Sequence, residues 1–134
     1  MRRLYEPAYP NVYWRRDAAL TARERAHAAW LWSKRRGIVA GLSAAALHGA
    51  KWIDPSEPAE LIHDNRRPPP NLVVRTEKLL SNEIVGVNGI PVTTPARTAF
   101  DLGRHTRSTT AAVQRLDALA NATDVKRVDV EAIL

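Results

Sequence analysis

The chain has 134 residues, a formal net charge of +6, 45% hydrophobic and 25% charged side chains, and no cysteine. That length supports one ordinary core, and the balance of apolar and charged residues is that of a globular chain, which excludes wholesale disorder. The lack of cysteine removes disulfides, thiolate metal sites and thiol nucleophiles and fits a reducing compartment.

No run approaches the ~18 apolar residues of a membrane span. The start Met1-Arg2-Arg3-Leu4-Tyr5-Glu6 lacks the apolar core of a signal peptide, so the expected setting is the cytoplasm, without membrane contact. Charge is unevenly placed: residues 1–36 hold nine Arg/Lys against three Asp/Glu, whereas residues 37–134 hold eleven of each. A basic end of this kind attracts phosphate backbones or an acidic protein surface.

Residues 1–16 read as a basic, aromatic arm, with Tyr5, Tyr9, Tyr13 and Trp14 between Pro7, Pro10 and several arginines, ending in a strand near Asn11 to Arg15. Thr21-Ala22-Arg23-Glu24 is a capping box, and a helix is expected from Ala22 to Arg36, stopped by Gly37. Ile38-Val39-Ala40 reads as a short strand, and Ser43 as the cap of a one-to-two-turn helix from Ala44 to His48.

Residues 59–63 and 72–75 are strand candidates flanking Asp64-Asn65-Arg66-Arg67-Pro68-Pro69-Pro70-Asn71, which predicts a β-hairpin with a stiff basic tip. Asn88-Gly89, between two apolar runs, predicts a second, tighter hairpin. Thr94-Pro95 opens a helix expected to stop near Gly103, and Thr110 to Asn121 form another. Asp129 looks like the cap of a last helix, of which only Val130 to Leu134 follow. The expected fold is therefore α+β: one small domain of short, mostly antiparallel strands and hairpins with about four helices, residues 17–134 forming its body and the C-terminal helix cut short.

No catalytic centre assembles from these elements. Gly41-Leu42-Ser43 begins like a nucleophile elbow, but Ala45 stands where the second glycine belongs. His27, His48, His63 and His105 never occur at metal-ligand spacing, and no cofactor or metal is expected. His63-Asp64 is an acid/base pair without a third group in sequence, and Asp124-Val125-Lys126 alone fits the acid-x-Lys of a metal-dependent nuclease. Gly-rich phosphate loops are absent as well. Binding features are stronger: Arg2, Arg3, Arg15 and Arg16 alternate with aromatic rings, and Arg66 and Arg67 ride a proline-stiffened segment, so these six are the candidates for nucleic-acid or partner contact.

Two stretches are more distinctive: residues 39–49, VAGLSAAALHG, and residues 88–102, NGIPVTTPARTAFDL. Together they resemble the AbiEi-like antitoxin family abundant in actinobacteria, over roughly Tyr9 to Thr123, and in particular its members that carry this region ahead of a very-short-patch-repair-like endonuclease domain. The resemblance implies one of two settings. In the first, the region follows a winged-helix DNA reader in a type IV toxin–antitoxin system, where the antitoxin represses its own operon and opposes a nucleotidyltransferase toxin.

In the second it precedes a nuclease domain, and the chain would be an accessory or remnant, inactive alone. Only Arg3 to Trp14 resembles the last strand of a winged helix, and no acid-bearing nuclease strands precede Leu134, so sequence-specific DNA binding and cleavage are not expected. The reading is a non-enzymatic regulatory or antitoxin-like module acting on a protein partner, with weak non-specific DNA attraction. Within the motifs Ser43 and Thr94 read as caps, Arg97 is placed to pair with Asp101 at i, i+4, and His48 is a polar side chain beside an apolar face that needs a partner.

Overall fold

The computed structural model describes residues 5–15, 19–65 and 67–123. Strands β1 (Tyr5–Tyr9) and β2 (Val12–Arg15) pair antiparallel around Pro10-Asn11, where Asn11 takes a φ of 64°. Proline followed by a positive-φ asparagine is the chemistry of a tight turn, so the N-terminal segment is a hairpin where the sequence suggested an arm ending in a strand. Its inner face is core: Tyr9 and Val12 are buried, and the Tyr9 hydroxyl donates to the Asn71 carbonyl at 2.9 Å.

Helix α1 (Ala22–Trp32) starts as expected, with Thr21 Oγ1 accepting from the Glu24 amide and Glu24 Oε1 from the Thr21 amide. It ends four residues earlier than the sequence reading, because Ser33 takes over the last turn. Its hydroxyl donates to the Trp30 carbonyl at 2.6 Å and accepts from the Gly37 amide at 2.9 Å. Lys34 and Arg35 then follow with φ of 59° and 63°.

The main sheet runs β5-β4-β3-β7-β6, from β3 (Ile38–Val39), β4 (Ala59–Ile62), β5 (Leu72–Arg75), β6 (Ile84–Val87) and β7 (Ile90–Thr93). β6 and β7 form the hairpin that Asn88-Gly89 predicts, with positive φ at both turn residues. β4 and β5, by contrast, pair in parallel with Ala59 opposite Leu72, which corrects the expected hairpin between them. The connection, residues 63–71, includes three prolines, and nine residues in polyproline form can span about 28 Å, ample to run back along a strand of about 13 Å. Three of the five strand pairings remain antiparallel, so the molecule is the α+β domain expected.

Helices α1 and α2 (Gly41–Leu47) pack on one another and on β4, α2 on α3 (Pro95–His105), and α3 on α4 (Thr109–Ala122). Two apolar clusters result. The first joins Tyr9 and Val12 to Ala26 and Ala29 of α1 and to Val39, Leu61 and Val92 of the sheet. The second joins Leu42 and Ala45 of α2 to Ala99, Leu102 and Leu119. α4 contributes only Leu119 as a buried residue, so its other faces are open to solvent or to a neighbour.

Candidate functional site

The polar residues of the two distinctive stretches fall into three bonded groups. The first fastens α2 to β4. Ser43 does not cap its helix, which begins at Gly41; its hydroxyl accepts from the Glu60 amide at 2.9 Å. The cap comes from across the fold, where Glu60 Oε2 accepts from the Leu42 amide at 2.6 Å while Oε1 bonds Arg75. An anionic side chain at a helix N-terminus satisfies an orphan amide and meets the positive end of the dipole. Gly41, with a φ of 57°, is required there twice over, since a methyl group on it would fall on the Glu60 carboxylate.

The second group is smaller. Thr93 accepts through its carbonyl from His48 Nε2 at 2.7 Å and from the Thr98 hydroxyl at 3.2 Å, and the Thr93 and Thr98 hydroxyls lie 2.7 Å apart. A carbonyl only accepts, so His48 carries its proton on Nε2. Thr94 caps α3 by accepting from the Arg97 amide.

The third group centres on Arg97, which is 6% exposed. Its Nε donates to Asp101 at 3.1 Å, the i, i+4 pair visible in the sequence, while Nη1 reaches Glu83 at 2.8 Å and Nη2 reaches Glu77 at 2.9 Å. Arg104 bonds Asp101 at 2.8 Å and also Glu77, and both guanidinium groups lie against the Phe100 ring. Two cations of α3, steadied by Asp101 on the same helix, thus hold the segment 77–83 through Glu77 and Glu83. Glu77, Asp101 and His105 place a possible ligand atom each within 4.8 Å of one another, the one such grouping among the described residues. The carboxylates involved already hold two arginines, so a metal ion would have to displace charge-assisted hydrogen bonds, and the donor set does not fit one.

Burial opposes the charged form of Glu77, but the hydrogen bond and charge of Arg104, with the charge of Arg97, outweigh it and hold its pKa below the ordinary 4.5. The Arg97 hydrogen bond and then the Leu80 amide lower Glu83 from the same value. Partial burial, then the charges of Arg75 and Arg104, lower His105 from 6.5. All three folded-state values lie below the unfolded ones, so each group stabilises the fold above its ordinary pKa and that contribution is lost as pH falls through the folded value. Melting temperature should therefore hold near neutrality, decline below about pH 6.5 as His105 titrates and fall faster below about 4.5; a scan flat from pH 7 to 4 would contradict this geometry.

What stays open is a groove of about 580 Å³ between the segment 51–57 and α4, floored by Leu42 and Ile53 and walled by Ala111, Gln114, Arg115 and Ala118. Trp52 stands at its edge, 95% exposed and with a φ of 66°. A bulky residue in the left-handed region is strained, and a fully solvated indole gains nothing from the core. The segment carrying it is nonetheless braced: Asp54 Oδ1 accepts from the Ser56 amide and hydroxyl at 2.8 and 2.7 Å, Arg25 of α1 donates to the Pro55 carbonyl at 2.9 Å, and Arg115 of α4 faces Glu57 at 3.6 Å.

Comparison with protein families matches residues 37–134 to the C-terminal domain of the AbiEi antitoxin. The chain belongs to that antitoxin family. A search among curated proteins and one among solved structures each give no significant match. The AbiEi match covers the main sheet, α2, α3, α4 and the Trp52 groove, and it leaves the β1–β2 hairpin and α1 outside. No helix among the described residues is long and apolar enough to cross a membrane.

The polar residues of the two distinctive stretches, Ser43, His48, Thr94, Arg97 and Asp101, are all drawn into the internal bonds described above, and none of them lines the groove. Of the six candidate contact arginines, Arg15 is exposed at the end of β2 and Arg67 is exposed on the connection between β4 and β5; Arg2, Arg3, Arg16 and Arg66 lie outside the described residues, as do Asp124-Val125-Lys126 and the segment from Asp129. The His63-Asp64 pair is separated by 3.5 Å, with Asp64 in solvent and the imidazole edge-on to Trp32. Trp52 and Glu60 are the residues that sequence reasoning missed. A tryptophan in a polar, proline-bearing turn, with only Ile53 beside it and no apolar period around it, was the available signal for the first.

Proposed function

We propose that this antitoxin-family domain is a non-enzymatic, cytoplasmic regulatory module that acts by contact, docking a nucleotidyltransferase-type toxin on the face formed by Trp52 and α4. The observation that carries the reading is the solvated, strained tryptophan on a braced segment beside a groove. Tryptophan is the residue most enriched among those that dominate interface energies, and a segment rigid before binding loses little entropy on binding. The family supplies the kind of partner, a toxin.

The motif side chains that catalysis would need are occupied in bonds that hold the fold, which supports binding over chemistry. By their charge Arg2, Arg3, Arg15, Arg16, Arg66 and Arg67 fit an auxiliary role, as attraction for an acidic partner or as a weak, non-specific attraction to DNA. The test is growth of cells expressing such a toxin. The wild-type chain should restore growth and Trp52→Ala should not, although it accumulates and melts like the wild type; undiminished rescue by Trp52→Ala would refute the docking face.

A further inference from the structure

We infer that the exposed face of α1, which lies outside the segment matched to the antitoxin family, is a stacking platform for single-stranded nucleic acid. Arg23, His27 and Trp30 follow one another at i, i+4 and i+7 and so share a face, and Arg23 and His27 are exposed. The His27 ring lies 6.1 Å from Trp30 and 6.5 Å edge-on from Trp14 of β2, so three rings form a continuous row across the junction of hairpin and helix. Trp14 and Trp30 are half-buried, Trp30 packing against the main core, so the row is set before any ligand arrives.

Cations flank it. Arg35 holds its guanidinium 5.8 Å over the Trp30 ring, and Lys34 is exposed beside it. Their left-handed backbone is fixed by the Arg35 amide donating to the Trp30 carbonyl at 3.1 Å and the Lys34 amide to the Leu31 carbonyl at 2.9 Å. Two acids are near: Glu24, whose carboxylate is turned to the Thr21 amide, and Glu6, opposite Trp14 on β1. The remaining balance is positive, as it is over residues 1–36 generally.

A row of rings flanked by cations matches a chain that offers flat bases along one side and phosphates along the other. A duplex hides its base faces in its own stack, and an acidic peptide has no such faces, so the single strand is the occupant this chemistry selects. The inference is independent of toxin docking, which uses the groove beside α4.

Fluorescence anisotropy of labelled oligothymidine and oligouridine of about 20 nucleotides, longer than a typical single-fold site, tests it on the full chain. Binding at about 50 mM salt is expected, with preference over a duplex of the same length. His27→Ala should weaken it about fivefold or more with the salt slope retained. The triple variant Arg23→Ala, Lys34→Ala, Arg35→Ala should flatten the slope by about two, near 0.7 for each phosphate no longer neutralised.

These are surface side chains, so an unchanged melting curve accompanies both effects. Stronger binding of either oligomer supports the platform and tells DNA from RNA as its source. Absence of binding at low salt, equal binding of duplex, or indifference to both variants overturns it.

Discussion

Replacing Arg97 with methionine is expected to lower the unfolding free energy by about 3–5 kcal/mol, the scale for breaking a buried ion pair by removal of one partner. The size follows from what remains: Glu77, Glu83 and Asp101 converge on the vacated position with Arg104 as the one nearby cation of the original pair. Asp101 is almost fully buried and cannot recover its loss from water. Lysine should restore only part, because one ammonium cannot reproduce three bonds made by Nε, Nη1 and Nη2 at once.

Acid gives a second signature. In the wild type, protonating Glu77 and Glu83 costs stability below their ordinary pKa of 4.5. In the methionine variant the carboxylates repel one another and gain from protonation, so its deficit shrinks on acidification. Urea unfolding of both proteins at neutral and at mildly acidic pH measures this. A deficit under about 1 kcal/mol, as surface pairs give, would show that the cluster contributes little to holding the segment 77–83.

The second large effect separates function from stability. Trp52→Gly should raise stability by about 1 kcal/mol, because glycine adopts the left-handed conformation without the strain tryptophan bears and the solvated ring contributes little to the fold. The same change should weaken toxin binding by about 2 kcal/mol or more, roughly thirtyfold, the loss expected for a central interface residue. Differential scanning calorimetry and isothermal titration read the two numbers on one preparation. A gain of stability with unaltered affinity would make Trp52 a strained turn residue without a role in contact.

Local chemistry made most elements legible before the structure. The Thr21–Glu24 box, the Asn88-Gly89 turn, the Thr94-Pro95 start of α3 and the Arg97–Asp101 spacing each involve residues within four positions, and each is found. What escaped reading depends on residues far apart. Ser43 has the chemistry of a cap but is diverted to Glu60, seventeen positions away, and Glu60 then caps the helix in its place.

Proline-rich residues 64–71 have the composition of a hairpin tip, yet the strands on either side of them pair in parallel. Glu77 and Glu83 belong to no periodic pattern, so their convergence on Arg97 is visible only once the 77–83 segment is folded over α3. On α1, Trp30 falls at helical spacing with Ala26, Ala29 and Ser33. The structure leaves it half-buried, packed against the edge of the core with the rest of its ring on the basic face.

The central claim is that this domain acts by contact and not by chemistry, and stoichiometry tests it most directly. A nucleotidyltransferase toxin would be held at fixed concentration and titrated with the wild-type chain while its transfer activity is followed. A binding module predicts a linear fall to a sharp end point at a fixed integral molar ratio, with the end point lost in Trp52→Gly. Complete and progressive loss of toxin activity at a small fraction of that ratio, continuing with time, would mean turnover and would contradict the account.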